Sequence, residues 1–184
     1  MQVLWDGGSL MTEHIAFLRG MNLGGRRLSN LVLKAAFADF GFHGVGTYRA
    51  SGNVILTTED APDLVERIEA GLEKQLGYAV PTLLRSVDEL RRIVAFEGLE
   101  RRGVDGGKLQ VTLLRDPPSD AVRQQVLAHA SADDGLAFGA AELFWLPRGG
   151  MLDSALDLKA LDKLLGLGTM RTMGTLEGIL KKCT

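Results

Sequence analysis

The sequence is nearly devoid of cysteine, because its one thiol, Cys183, stands next to the C-terminus. A single cysteine excludes an internal disulfide and any metal cluster built from thiolates. We therefore expect a reducing, cytoplasmic setting. The chain also lacks an apolar run near the ~20 residues that cross a bilayer, and residues 1–10 lack the charged and apolar regions of a secretory signal. Membrane partners are not expected, and residues 1–12 are interpreted as an extension outside the fold.

An excess of either charge is absent as well. The formal net charge is −2, so the composition gives no general attraction to nucleic acid or to an anionic membrane. Aromatic residues make up only 6% of the chain, and the strand-like run SGNVILTT contains none. RNA-binding sheets of a related architecture stack bases on aromatic residues at such positions. Nucleic acid is thus an unfavoured partner, and binding to it would require a local basic patch.

What the chain does contain is 46% hydrophobic residues in alternating strand and helix patterns, the content of an ordinary folded protein. Ser29 and the S-x-x-E sequence at Ser86 predict helix starts, whereas Gly41 and Gly77 predict helix ends. The first half is predicted to contain strands at 14–19, 45–49, 53–58 and 80–84, with helices between them and one added helix. This order is that of the ferredoxin-like plait.

The second half repeats the pattern after a charged, glycine-rich stretch, with strands predicted at 109–115, 136–138, 143–146 and 169–173. The residues repeat too, because four of them recur 86 positions later: Arg85, Ser86, Leu90 and Ile93 as Arg171, Thr172, Leu176 and Ile179. This indicates an internal duplication, with chance similarity between two strand-to-helix junctions as the alternative. The predicted fold is α+β, with two tandem ferredoxin-like βαββαβ plaits, residues 13–98 and 108–184, joined by a linker at 99–107 and packed into one compact unit.

A plait places the loop after its first strand at the same end of the sheet as the hairpin turn. Guanidinium groups and backbone amides gathered at such an end suit a phosphate or a carboxylate. We therefore predict a small anionic ligand at this edge, with these binding residues: Arg19, Asn22, Gly24, Gly25, Arg49, Ser51, Gly52 and Asn53. Ordinary turn chemistry is the alternative, since glycine and asparagine are also the residues of tight turns.

The pattern assigns no catalytic residue, metal site or cofactor. Residues 20–27 have arginines where a phosphate-binding loop needs a lysine and a hydroxyl. The three histidines lack the spacing of zinc ligands, so no metal is predicted. Ser51 lacks the G-x-S-x-G context of a nucleophile, and Asp153 and Asp157 fit helix caps and a solvated face better than an acid–base pair. Catalysis and cofactors are left open.

Four segments together resemble a known family. AFLRGMNLGG, SGNVILT, VPTLLRSVDEL and TMRTMGTLEGILKK, in this order and spacing, are similar to the bacterial family catalogued as domain of unknown function 1697, over Glu13 to Lys182. The resemblance implies two α+β subdomains with ferredoxin-like plaits, and no established activity or cofactor. Ala50 departs from the family's glutamine before Ser-Gly-Asn, and Met173-Gly174 from its Asn-Trp. A ligand site that used either residue would be altered in this chain.

The leading hypothesis is thus a cytoplasmic protein with an anion-receptive edge, for which Arg19, Asn22 and Arg49 are the preferred contacts. One rival is an interaction module that pairs through exposed edge strands. Another is an enzyme or an RNA binder that uses the same edge, although the sequence shows no general base. The oligomeric state and the identity of the ligand stay open at this level.

Overall fold

The structure is a computed structural model that describes residues 3–4, 10–21, 28–100 and 105–183. The chain divides into two compact units, within each of which the backbone segments lie close together: residues 1–90 with 179–184, and residues 91–178. In chain order the described elements are β1 (Val3–Leu4), β2 (Leu10–Leu18), α1 (Asn30–Asp39), β3 (His43–Thr47), β4 (Asn53–Glu59), α2 (Leu64–Leu76), β5 (Thr82–Ser86), α3 (Val87–Val94), β6 (Gln110–Leu114), α4 (Asp120–Leu127), β7 (Asp134–Phe138), β8 (Glu142–Pro147), α5 (Leu158–Leu165), β9 (Gly168–Thr172) and α6 (Met173–Leu180).

The first unit contains an antiparallel sheet in the order β3-β4-β2-β5, with β1 beside the start of β2. β2 lies in the centre, and its residues Ile15, Ala16 and Phe17 have no solvent exposure. One face of the sheet packs against α1 and α2, whose buried side chains are Leu33, Ala36, Phe37, Leu64, Ile68 and Leu72. Burying each large apolar side chain stabilises the fold by about 1.5–3 kcal/mol, which explains why both helices turn these residues toward the sheet.

The second unit repeats this architecture with a sheet in the order β7-β8-β6-β9. Leu18 of β2 pairs with Thr82 of β5, and Leu114 of β6 pairs with Gly168 of β9. Thr82 and Gly168 are 86 positions apart, which is the offset found in the sequence. The predicted fold class, two tandem βαββαβ units of ferredoxin-like order, is therefore confirmed.

Local capping signals place the helices as predicted. The Ser29 hydroxyl accepts from the Val32 amide at the start of α1. Ser86 and Glu89 form a reciprocal capping box, in which the Glu89 carboxylate accepts from the Ser86 amide at 2.8 Å and the Ser86 hydroxyl accepts from the Glu89 amide at 3.2 Å. Gly77 ends α2 in the left-handed conformation, with φ of 77°.

The strand predicted at 80–84 is displaced by two residues, because β5 runs Thr82–Ser86. Pro81 has no N–H to donate to a ladder, and its carbonyl instead accepts from the Arg19 amide. The Thr82 amide donates to the Glu69 carboxylate at 2.7 Å, which ties β5 to α2. Val80 is buried in the core rather than paired in the sheet.

Part of the stretch that was predicted to lie outside the fold is paired with β2. Val3 pairs with Met11, and Leu4 pairs with Leu10, so β2 begins four residues before the predicted strand. The alternation in LMTEHIAFL is weak at its start, because Thr12 and Glu13 interrupt the apolar run.

The two aromatic residues of β8 face opposite sides of the second sheet. Trp145 packs with the helices of its unit, next to Val126 and Leu161. Phe144 lies on the other face, where the Phe96 ring stacks on it at 3.7 Å between centroids and 6° between planes. That face is therefore covered at this point, and Phe144 is not available to stack with a base.

The longest described helix, α2, has 13 residues. No helix in the described ranges is both long and apolar enough to cross a lipid bilayer.

Candidate functional site

Arg19 lies at the end of the central strand of the first sheet, where two other chain segments meet it. The amide of the preceding residue, Leu18, donates to the Gly52 carbonyl at 2.8 Å, and the Arg19 amide donates to the Pro81 carbonyl at 2.8 Å. The hairpin turn between β3 and β4 and the entrance to β5 are thus fixed on either side of Arg19. We call this end of the sheet, formed by Arg19 and residues 48–53, the rim.

The turn in the rim is closed by Asn53. The Tyr48 amide donates to the Asn53 carbonyl at 3.0 Å, and the Asn53 side-chain amide donates to the Tyr48 carbonyl at 3.0 Å and to the Ser51 hydroxyl at 2.8 Å. Asn53 is also buried. These bonds lie within the turn, so the turn chemistry considered from the sequence accounts for an asparagine at this position.

Arg49 projects from the same turn in an unusual backbone conformation. Its φ is 56°, and among the described residues it is the one non-glycine with a positive φ. The left-handed region costs a residue with a side chain about 1–2 kcal/mol. The side chain is exposed, and the guanidinium carbon lies 5.6 Å from the Tyr48 ring centroid. Within the described chain this guanidinium makes no ion pair, which leaves its charge directed to solvent.

Gly52 brings the turn close to β2. Its φ is 69°, and a Cβ built on it would lie 3.0 Å from the Leu18 Cβ and 3.2 Å from the Leu18 carbonyl oxygen. A side chain is thus excluded by both conformation and space. The glycine is what allows the rim to close.

The structure brings together the sequence-predicted residues that it describes. Arg19, Arg49, Ser51, Gly52 and Asn53 lie at one end of the first sheet. Asn22, Gly24 and Gly25, together with Arg26 and Arg27, lie outside the described residues.

The duplication supplies an internal comparison for the rim. Leu114 donates to the Ala141 carbonyl at 2.9 Å and Arg115 to the Leu167 carbonyl at 2.9 Å, so Arg115 corresponds to Arg19. Three residues separate Arg115 from the helix cap Ser119, whereas nine separate Arg19 from Ser29. The hairpin turn likewise has three residues, 139–141, where the first unit has five, 48–52. Both connections at the rim are longer than this fold needs.

The corresponding end of the second unit is closed by its own side chains. Arg123 donates to the carbonyl oxygens of Pro118, Gly139 and Ala140, at 3.1, 2.8 and 2.5 Å. Buried Glu142 stands where the first unit has Asn53, and its carboxylate accepts from the Ala141 amide at 3.1 Å. This end therefore carries a buried acid and an arginine already engaged by backbone carbonyls.

Sequence reasoning missed a cleft of about 510 Å³ in the second unit. Its lining combines several aspartates, one arginine and two glycines: Asp105, Ser131, Asp133, Asp134, Pro147, Arg148, Gly149, Gly150, Asp153, Ser154 and Ala155. The residues come from three separated segments, none of which has a recognisable motif. Asp153 and Asp157 were both interpreted as caps, and the helix cap of α5 is Asp157, which accepts from the Lys159 and Ala160 amides at 3.0 Å. Asp153 lies in the turn before α5, where its carboxylate accepts from the Gly150 amide at 3.1 Å.

Comparisons with known proteins agree with the fold. The chain resembles the conserved bacterial protein SP0830 from Streptococcus pneumoniae, with a TM-score of 0.70 and 21% sequence identity, over 93% of this chain and 98% of that one. At this identity the likeness shows the fold alone. No curated protein matches the chain.

A family model matches residues 11–144, which include nearly all of β2, the rim, and β6 and β7 of the second sheet. The family is described as "Protein of unknown function (DUF1697)". The match spans well over half of the sequence and agrees with the resemblance of the four segments, and so the chain belongs to the DUF1697 family.

Proposed function

We propose that the protein binds a small anionic ligand, bearing a phosphate or a carboxylate, at the rim of the first unit. The observation that carries this proposal is the 2.8 Å bond from the Leu18 amide to the Gly52 carbonyl, which fixes the Arg49 turn beside Arg19. Two guanidinium groups at one sheet end form a site for bidentate recognition of an oxyanion.

The strain at Arg49 supports the same proposal. A positive φ at a residue with a long side chain costs stability, and such outliers cluster at binding sites where the strain aims a group at a ligand. A glycine or an asparagine would adopt this conformation more cheaply. The charge of the guanidinium therefore accounts for an exposed arginine at this position.

The lengths of the connections add independent support. The second unit closes the same topology with shorter loops, so the additional residues in the first unit are not required by the fold. Loops that exceed the need of their scaffold are where binding residues concentrate. The acid at Glu142 and the engaged Arg123 make the second unit's corresponding end a poor anion site.

The test is isothermal titration of inorganic phosphate and of citrate into the wild-type protein and into Arg19→Ala and Arg49→Ala. Each variant is expected to lose about tenfold or more in affinity, because a charge-assisted hydrogen bond contributes about 1.5–3 kcal/mol. Arg115→Ala is the matched control, since Arg115 occupies the corresponding position in the second unit, and it should bind as the wild type does. Equal affinity in Arg19→Ala and Arg49→Ala, or no binding of either anion by the wild type, would refute the proposal.

A further inference from the structure

Asp134, at the start of β7, is a buried carboxylate with only part of its hydrogen-bonding capacity used. The residue is 3% exposed, and its Oδ1 accepts from the Trp145 indole Nε1 at 2.7 Å and from the Ser154 hydroxyl at 2.7 Å. Both donors are neutral and both use the same oxygen. In the described chain no donor reaches Oδ2, and no cationic side chain lies within ion-pair distance of this carboxylate.

A buried carboxylate without a cation is costly, and proteins normally pair such a group or neutralise it. Asp134 lines the cleft of the second unit, and so does Ser154, whose hydroxyl donates to this carboxylate. The arginine in the cleft does not serve it, because Arg148 donates to Asp105 at 2.7 Å and to Asp133 at 3.2 Å. Those bonds, first to Asp105 and then to Asp133, raise the pKa of Arg148.

The balance of charge in the cleft favours a cation. Four aspartates and one arginine line it, and Arg148 is already bridged between Asp105 and Asp133. Asp134 at depth and Asp153 nearer the surface are the carboxylates that Arg148 leaves unmatched. Because one carboxylate oxygen is available at depth, the group it can receive is a hydrogen-bond donor with a single positive charge rather than an ion that needs several oxygen ligands.

We propose that this cleft binds a small aliphatic amine, whose ammonium group donates to Asp134 Oδ2. The volume of about 510 Å³ accommodates a short aliphatic chain as well as the ammonium group, so a diamine can place its second charge near Asp153. The site is separate from the rim and does not depend on the anion proposal.

The first experiment titrates butane-1,4-diamine into the wild type, Asp134→Asn and Asp116→Asn at low ionic strength, where charge pairing is least screened. Asparagine keeps an oxygen for Trp145 and Ser154 and removes the charge, so Asp134→Asn should bind at least tenfold more weakly. Asp116→Asn removes an exposed aspartate outside the cleft and should bind like the wild type. Equal binding by Asp134→Asn, or none by the wild type, would overturn the proposal.

The second experiment needs no variant at the site. The Trp145 indole N–H donates to the same carboxylate, so its NMR resonance should shift on addition of the diamine. The resonance of the other tryptophan, Trp5, is identified by its loss in Trp5→Phe, which leaves the remaining one assigned to Trp145. An unmoved Trp145 resonance at saturating diamine would contradict the proposal even if Asp134→Asn fails to fold. A shift produced equally by Mg²⁺, with competition between the two, would reject the amine class.

Discussion

The backbone amide of Leu18 donates to the carbonyl oxygen of Gly52 at 2.8 Å, across the end of the first sheet. Leu18 is the last residue of β2, and Gly52 is the last residue before β4. This bond continues the ladder of the two strands into the turn. The positions of Arg19 and Arg49 relative to each other therefore depend on the conformation of one glycine.

Gly52→Ala should lower the free energy of unfolding by about 2–4 kcal/mol. Alanine is strained at this positive φ, and its Cβ would also lie only 3.0 Å from the Leu18 Cβ. Gly77→Ala is the matched control. Gly77 has a similar φ of 77° but nothing within 4 Å of its added Cβ, so only the conformational cost of about 1–2 kcal/mol applies. Urea unfolding of both variants measures the difference. Equal losses would mean that the contact with Leu18 relaxes without cost.

Arg49→Gly should move stability and binding in opposite directions. Glycine adopts a φ of 56° without strain, but it also loses more conformational entropy on folding than arginine does. The balance of these two effects should raise the free energy of unfolding by about 0.5–1 kcal/mol. Affinity for phosphate should fall at the same time, because the guanidinium is lost. Arg49→Asn, which tolerates the left-handed region, should give a smaller gain with the same loss of affinity. A variant that is less stable and still binds would show that the side chain serves the fold.

The sequence predicted those parts of the fold that depend on local chemistry. Ser29 and Ser86 mark helix starts because each hydroxyl accepts from an amide three residues later, and such bonds depend on short sequence spacing. The duplication was also visible, because both copies keep an arginine, a hydroxyl and two apolar residues at a fixed offset. The start of β5 was misplaced because the partner of the Thr82 amide, Glu69, is 13 residues away.

The two candidate sites, the rim and the cleft, also differ in how far the sequence could predict them. The rim could be proposed because plait topology alone brings residues near 19 and 50 to one sheet end. The sequence could not predict the strain at Arg49 or the contact of Gly52 with Leu18, because both depend on the length and geometry of the turn. No sequence pattern indicated the cleft, since Asp134, Trp145 and Ser154 come together only when β7, β8 and the following loop have folded.

Arg123→Met should destabilise the second unit by about 1–3 kcal/mol. The substitution keeps much of the aliphatic stem but removes the donors to three carbonyl oxygens and the guanidinium that lies 5.0 Å from the Phe138 ring centroid. Hydrogen exchange should show faster opening of the amides around residues 139–142. Phosphate affinity is the control measurement, and it should be unchanged because the rim belongs to the first unit. A loss of phosphate binding that matches the loss of stability would place the anion site elsewhere.

Phe96→Ala tests how the second sheet's other face is protected. The Phe96 ring is parallel to that of Phe144, which is only 1% exposed, so its removal uncovers an aromatic side chain in the middle of β8. We expect a loss of about 3 kcal/mol, the lower end for a phenylalanine truncation, because Phe96 is itself half-buried. Phe96→Leu keeps most of the cover without the ring stacking, and it should cost about 1 kcal/mol. Thermal and urea unfolding give both values, and an alanine variant as stable as the leucine variant would mean that Phe144 is covered without Phe96.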